Sequence, residues 1–206
     1  MNVTVIDYGI GNLHSVVKAL VREGGDVTVT SRADDVLRAE RLVLPGVGAF
    51  ADGMRGLEER ALVEPLVEYA RTGRPLVGIC LGMQLFMSES FEFGHHRGLG
   101  LVEGPVVEIP RSPGVKVPQI GWNRVQPGPR AEWRGTLLDG IAPGEMMYFV
   151  HSFTAQPRDE RHRLADADYG GFVISAAIQR DNVVGFQFHP EKSGAVGLGV
   201  LRRFLS

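Results

Sequence analysis

The chain has 206 residues, 44% of them hydrophobic and 22% charged, a composition that suits a single globular domain over residues 1–206 with a sizeable core. A formal net charge of −2 with interspersed signs gives no electrostatic footprint for nucleic acid or an anionic membrane surface, and no apolar run approaches the roughly 18 residues needed to span a bilayer. One cysteine, Cys80, excludes an internal disulfide framework; with no zinc-like Cys/His spacing and no secretory pattern in the first residues, a reducing cytoplasm is the expected compartment.

Residues 3–6 read as a strand, after which Leu13, Val16, Val17, Leu20 and Val21 recur at helical spacing until Gly24 and Gly25 end the helix. The joining segment, Asp7-Tyr8-Gly9-Ile10-Gly11-Asn12-Leu13, sits where a dinucleotide loop would. His14 stands in place of its third glycine and no acidic strand end follows at the usual distance, so a close-packed turn is the better reading and no cofactor is expected. Residues 27–30 predict a second strand, 34–39 a short helix, 42–44 a third strand, 63–71 a helix closed by Gly73, and 76–79 a buried strand. Strands separated by helices imply a parallel sheet covered on both faces, with active residues at strand carboxyl ends.

After about Phe91 the signals change to strands and turns, at 106–109, 146–153, 172–179 and 183–188, the last pair joined by a hairpin at Arg180-Asp181-Asn182. An antiparallel extension of the sheet follows from that pattern, with a closing helix over 194–205. Residues 110–118 and 127–129 are proline-rich and read as ordered surface loops, and His95-His96 as a solvated loop, not a metal site.

Gly78-Ile79-Cys80-Leu81-Gly82 has the form of a nucleophile elbow, in which small residues let a buried strand turn tightly into an amphipathic helix and present the side chain over the helix N-terminus. The N–H groups there favour thiolate and can hold an oxyanion. An isolated cysteine is more often a small buried hydrophobe. What shifts the balance is Gly185-Phe186-Gln187-Phe188-His189-Pro190-Glu191, where an extended backbone would turn His189 and Glu191 to one side, so that the carboxylate orients the imidazole and the imidazole faces the thiol. Pro45-Gly46-Val47-Gly48 is either a plain strand-end turn or an oxyanion strand whose glycines let one peptide reorient.

On these three motifs the chain resembles the class I, triad-type glutamine amidotransferases. The resemblance spans nearly the whole sequence and implies a three-layer α/β fold, a largely parallel sheet with helices on both faces, and hydrolysis of L-glutamine without metal or cofactor. It makes Cys80 the nucleophile, His189 the general base and then acid, and Glu191 its orienting carboxylate. The Leu81 N–H and the Val47 N–H beside Gly48 would form the oxyanion hole, and Gln84, Glu92, Tyr148, His151 and Ser152 would hold the substrate.

Two further segments, Asp7 to Leu13 and Val117-Pro118-Gln119-Ile120-Gly121-Trp122-Asn123, are similar to the branch of that family that serves imidazole glycerol phosphate synthases in histidine biosynthesis. This implies a heterodimer with a separate (β/α)₈-barrel cyclase subunit that receives the ammonia, and places Asn12, Gln119, Trp122 and Asn123 on the partner surface. Gln119 departs from the histidine common in the family. The alternatives are the same half-reaction serving a pyridoxal phosphate, purine or anthranilate synthase, a non-catalytic binding module of the same fold, and a cysteine peptidase of related architecture.

Overall fold

Strand and helix alternate through the first eighty residues, as the apolar periodicity predicts. β1 (Asn2–Ile6), α1 (Leu13–Arg22), β2 (Asp26–Thr30), α2 (Ala33–Arg38), β3 (Leu42–Gly46), α3 (Phe50–Glu58), α4 (Val63–Arg71) and β4 (Leu76–Cys80) follow in order, and α5 (Leu81–Leu85) continues from β4 without a break. The computed structural model describes all residues, 1–206. α1 buries Val16, Ala19 and Leu20 and stops at Gly24, whose φ of +93° lets the Gly25 N–H donate back to the Leu20 carbonyl at 2.9 Å.

β5 (Met87–Ser90), β6 (His96–Arg97), β7 (Val102–Glu108), β8 (Gln119–Arg124), β9 (Gln126–Pro127), β10 (Met146–His151), β11 (Phe153–Ala155), β12 (Arg163–Tyr169), β13 (Phe172–Arg180), β14 (Val183–Phe186) and α6 (Gly194–Leu205) complete the chain. The main sheet has the order β2-β1-β3-β4-β14-β13-β12-β9. Its first five strands are mutually parallel and the rest join by antiparallel ladders, which gives the expected extension.

Side-chain alternation divides the core between the two faces. Val3, Val5, Val43, Val77 and Ile79 pack with α1 and α6, whereas Ile6, Leu42, Leu44 and Leu76 pack with α2, α3 and α4. Helices therefore cover both sides of the sheet.

The structure adds strands β5, β8 and β12 that carried no expectation and puts His96 and Pro127 in short strands where loops were read, and four further details differ from the sequence reading. Residues 106–109 and 146–153 stay outside the main sheet: β7 joins β11, β5 and β6, while β10 pairs with β8 alone, and the strand expected over 146–153 breaks at Ser152 as the chain passes between these two sheets. Helix α3 carries no strong sequence signal because Gly53 and Gly56 depress helix propensity; they sit where a Cβ would lie 3.1 Å from Leu85 and 2.5 Å from the Tyr8 carbonyl oxygen. The elbow helix α5 is not amphipathic, since all five residues are buried. Finally, β14 ends at Phe186, and residues 190–192 form a 3₁₀ turn in place of an extended tail because Pro190 is pre-set for a first helical position.

Candidate active site

β4 lies between β3 and β14, all three parallel, so their carboxyl ends open at one place. Register then brings the motifs together: Gly46 is opposite Cys80, and Phe186 opposite Ile79, which sets Gln187 and the His-Pro-Glu turn beside the thiol. Residues separated by more than a hundred positions become neighbours through strand order alone.

The elbow is under local strain. Cys80 has φ +54° and ψ −108°, a conformation that costs a residue with a side chain about 1–3 kcal/mol. Packing holds it there: a Cβ on Gly78 would lie 2.5 Å from the Phe86 ring and 2.7 Å from the Gly82 carbonyl carbon, and one on Gly82 would overlap the Leu44 carbonyl oxygen. Both glycines are required because α5 turns back directly against β3 and β4.

His189 and Glu191 converge across the 3₁₀ turn. His189 Nδ1 and Glu191 Oε1 are 2.8 Å apart, with the two side chains 2% and 1% exposed. His189 Nε2 makes no hydrogen bond within the protein, and the Cys80 sulfur is the group next to it. Burial pulls the imidazole pKa down, but Cys80 and Glu191 outweigh burial and hold it up at about 9, so the ring is cationic at neutral pH. The backbone is pinned as well: the His189 N–H donates to the Tyr148 carbonyl at 2.9 Å, and Ser193 Oγ donates to the His189 carbonyl at 2.7 Å while accepting the Tyr148 N–H at 2.9 Å.

A cleft of ≈ 360 Å³ opens over Cys80 and is lined by Val47, Gly48, Leu81, Gln84, Glu92, His151 and Ser152, together with Pro118, Val150 and Phe153. A larger hollow of ≈ 510 Å³ beside α6 contains no nucleophile with a base and acid. Glu92 is anchored at the start of α3, where one carboxylate oxygen accepts the Phe50 N–H at 2.6 Å and leaves the other for a ligand. Burial raises the Glu92 pKa, with the Phe50 N–H and His96 opposing it.

His151 is in the cleft wall with both ring nitrogens engaged. Nδ1 lies 2.7 Å from the Phe153 carbonyl oxygen and Nε2 lies 3.0 Å from Gln119 Oε1. Burial lowers its pKa to about 4, with the Phe153 carbonyl opposing and the His189 charge assisting, so the ring is neutral. A neutral ring has one N–H, and the carbonyl must receive it. Nε2 is then an acceptor facing Gln119 Oε1, and turning the Gln119 amide end for end would present its NH₂ instead.

Tyr148 does not line the cleft. Its ring packs edge-on against Trp122 with centroids 6.0 Å apart, and its backbone carries His189. Gln119 is 2% exposed and Trp122 51% exposed, because the alternation of β8 turns Gln119 inward and sends Ile120 and Trp122 out. Asn123 donates to the Asp168 carbonyl at 2.7 Å, and Asn12 precedes α1 without capping it. Three buried residues of the site lie outside the sequence expectations: Gln187, Ser193 and Tyr8, whose hydroxyl has no partner and faces Gly46. Only Gln187 left a signal, a polar residue between two buried phenylalanines.

Comparison with known proteins agrees with this geometry. Residues 4–205 match the family described as Glutamine amidotransferase class-I. This chain belongs to that family. It is 49% identical over 210 residues to the imidazole glycerol phosphate synthase subunit HisH 1 of Legionella pneumophila (strain Lens), covering 99% of this chain and 98% of that protein. The HisH subunit of Aquifex aeolicus is 47% identical over 205 residues, with 99% and 96% covered. Among solved structures, PurLQS from Thermotoga maritima superposes with a TM-score of 0.73 at 22% identity, covering 99% of this chain and 97% of that one, a likeness of fold. As a class I glutamine amidotransferase the chain is an enzyme.

Proposed function

We propose that this chain is the glutaminase subunit of an imidazole glycerol phosphate synthase, acting in the cytoplasm in histidine biosynthesis and passing ammonia to a (β/α)₈-barrel cyclase subunit bound as a heterodimer. The 2.8 Å pair of His189 and Glu191, with the free Nε2 turned to the thiol of a strained elbow, carries the chemical part of this reading. Identity near one half over nearly full length to subunits that bear this name carries the choice of synthase.

In the reaction, the proton shared by the Cys80–His189 pair already rests on the imidazole, and the sulfur attacks the side-chain carboxamide carbon of glutamine. The oxyanion is received by the Leu81 N–H at the start of α5 and by the Val47 N–H. His189, kept in the correct orientation by Glu191, then donates its proton to the departing ammonia, leaving a glutamyl thioester. Water, deprotonated by the same imidazole, attacks the thioester; glutamate leaves and the thiol is restored. Gln84 and Glu92 hold the α-amino and α-carboxylate ends of the substrate, and Ser152 borders the same cleft. His151 forms part of the cleft wall and Tyr148 holds the His189 backbone, while Asn12, Trp122 and Asn123 face the cyclase, with Gln119 supporting that ribbon from inside.

The test is Cys80→Ala assayed with the cyclase subunit. Glutamine-dependent synthesis is expected to vanish while synthesis from added ammonia persists, because only the nucleophile is removed. Substantial glutamine hydrolysis by the variant would refute the assignment.

A further inference from the structure

The reaction as written leaves Gln187 without a task, although its side chain is fully buried beside the nucleophile. A buried carboxamide is costly unless its polar atoms are paired, and here the pairing determines which way it points. Gln84 Nε2 donates to the Phe153 carbonyl oxygen at 3.0 Å; a carbonyl only accepts, so this contact fixes the nitrogen end of the Gln84 amide. The second hydrogen of the same nitrogen goes to Gln187 Oε1 at 2.9 Å. Gln187 Nε2 is thereby directed at Cys80 Sγ, 3.7 Å away. Nothing in this chain of assignments depends on an arbitrary amide orientation.

We infer that Gln187 is a catalytic residue that donates a hydrogen bond to the Cys80 thiolate, and that Gln84 is the positioning residue that aims it. The inference rests on Cys80 being the nucleophile. On another side of the sulfur, the Val150 carbonyl oxygen lies 3.8 Å away, able to accept from a thiol and repelling a thiolate. A donor is therefore needed to balance it. The titratable groups around the sulfur are His189 with Glu191 behind it, His151 from β10, held neutral, and Tyr8 from the segment after β1, whose phenol burial and Cys80 keep protonated. Of these, His189 stabilises the thiolate only while it carries a proton. The carboxamide donates at every pH and stays in place after His189 has passed its proton to ammonia. As the S–C bond forms, negative charge moves from sulfur to the carbonyl oxygen and the Gln187 contact weakens. When the thioester is cleaved, sulfur departs as thiolate and the contact is recovered.

The measurement is alkylation of Cys80 by iodoacetamide as a function of pH, on the full chain and without glutamine; the S–C bond forms and iodide leaves. Gln187→Met keeps the length and removes the donor. It is expected to slow alkylation at pH 7 about tenfold, roughly 1.4 kcal/mol, and to displace the whole profile to higher pH. In the complex with the cyclase subunit, kcat for glutamine hydrolysis should fall by a similar factor with KM within about twofold. Gln84→Met, which leaves Gln187 but frees its amide, should shift the alkylation profile less in the same direction, and the double variant should react no more slowly than Gln187→Met. A profile for Gln187→Met that matches the parent, or a change in KM without a change in alkylation, overturns the inference. If Gln187→Met loses cooperative unfolding, Gln84→Met decides alone, and an unshifted profile there overturns it too. Failure of the nucleophile assignment would be read separately, as glutamine hydrolysis by Cys80→Ala.

Discussion

Glu191→Gln removes the charge that accompanies His189 while preserving shape, since the carboxamide oxygen still accepts the Nδ1–H. Both side chains are buried, so solvent does not screen the pair. In the folded chain the His189 pKa stands at about 9 against an ordinary 6.5, although burial alone would lower it. At about 1.4 kcal/mol per pH unit, that rise is worth about 3 kcal/mol in favour of the imidazolium, shared between Cys80 and Glu191. Because the folded pKa is raised above the unfolded one, this stabilisation is fully present below pH 6.5 and is lost as pH rises through about 9. The parent chain should therefore lose about 3 kcal/mol of unfolding free energy across that window from this residue. In Glu191→Gln burial opposes only Cys80, and most of the dependence should disappear. Urea unfolding at several pH values between 6 and 10, plotted as parent minus variant, isolates the effect from other titrating groups. The same variant should retain measurable glutamine hydrolysis, about 10²- to 10⁴-fold reduced and still above Cys80→Ala, because an orienting group costs less to lose than the nucleophile. Parallel stability curves for parent and variant would refute the view that Glu191 holds the imidazole charged.

Gly82→Ala places a methyl group into the Leu44 carbonyl oxygen, with backbone on both sides unable to yield; a loss of about 3 kcal/mol or more in unfolding free energy is expected, and a parent-like urea midpoint would show that α5 is not held against β3 as described. Trp122→Ala removes the largest exposed anchor of the β8 ribbon and should weaken binding of the cyclase subunit by about 2 kcal/mol, near thirtyfold in Kd by calorimetry; an unchanged Kd would remove this residue from the interface.

Most of the parallel half of the fold was legible because its strands and the helices α1, α2 and α4 announce themselves locally. Val63–Arg71 lies where a helix was expected, Gly194–Leu205 forms the expected closing helix, and β1 to β4 extend the expected strands by one or two residues. Reading failed where tertiary contact overrides propensity. Gly53 and Gly56 obscure α3 because their purpose is close approach to α5 and to Tyr8, which no local pattern encodes. The site divides in the same way. Cys80, His189 and Glu191 stand in short motifs whose chemistry constrains spacing, although the 3₁₀ turn at Pro190 brings the latter pair together by a route unlike the extended one expected. Gln119 illustrates the limit: a motif gives a neighbourhood, but the pleat of β8 decides which side chains face inward, and only register with β10 reveals that Gln119 meets His151.

That same pleat gives one ribbon an exposed face and a face on the proposed catalytic cleft. Gln119 and His151 are paired across β8 and β10, facing the cleft wall; Trp122 and Tyr148 are paired three positions away, and their rings meet at 6.0 Å on the exposed side. The Tyr148 backbone is simultaneously the acceptor for the His189 N–H and, through Ser193 Oγ, the clamp on the His189 carbonyl. A force applied to the outer face of β8 therefore reaches its partner β10, which is hydrogen-bonded to His189, the proposed general base. Small displacements of such a packed element are transmitted and not absorbed, because close-packed interiors have low compressibility. The second path from the surface runs through Tyr8, whose unpaired hydroxyl rests on Gly46 at the root of the proposed oxyanion strand. The segments Asp7 to Leu13 and Val117 to Asn123 are thus each one contact removed from a different part of the proposed reaction: the first from the proposed oxyanion donors, the second from the proposed base. Coupling between partner binding and glutamine hydrolysis requires contacts that differ between two states of these elements, and both elements are placed to supply them.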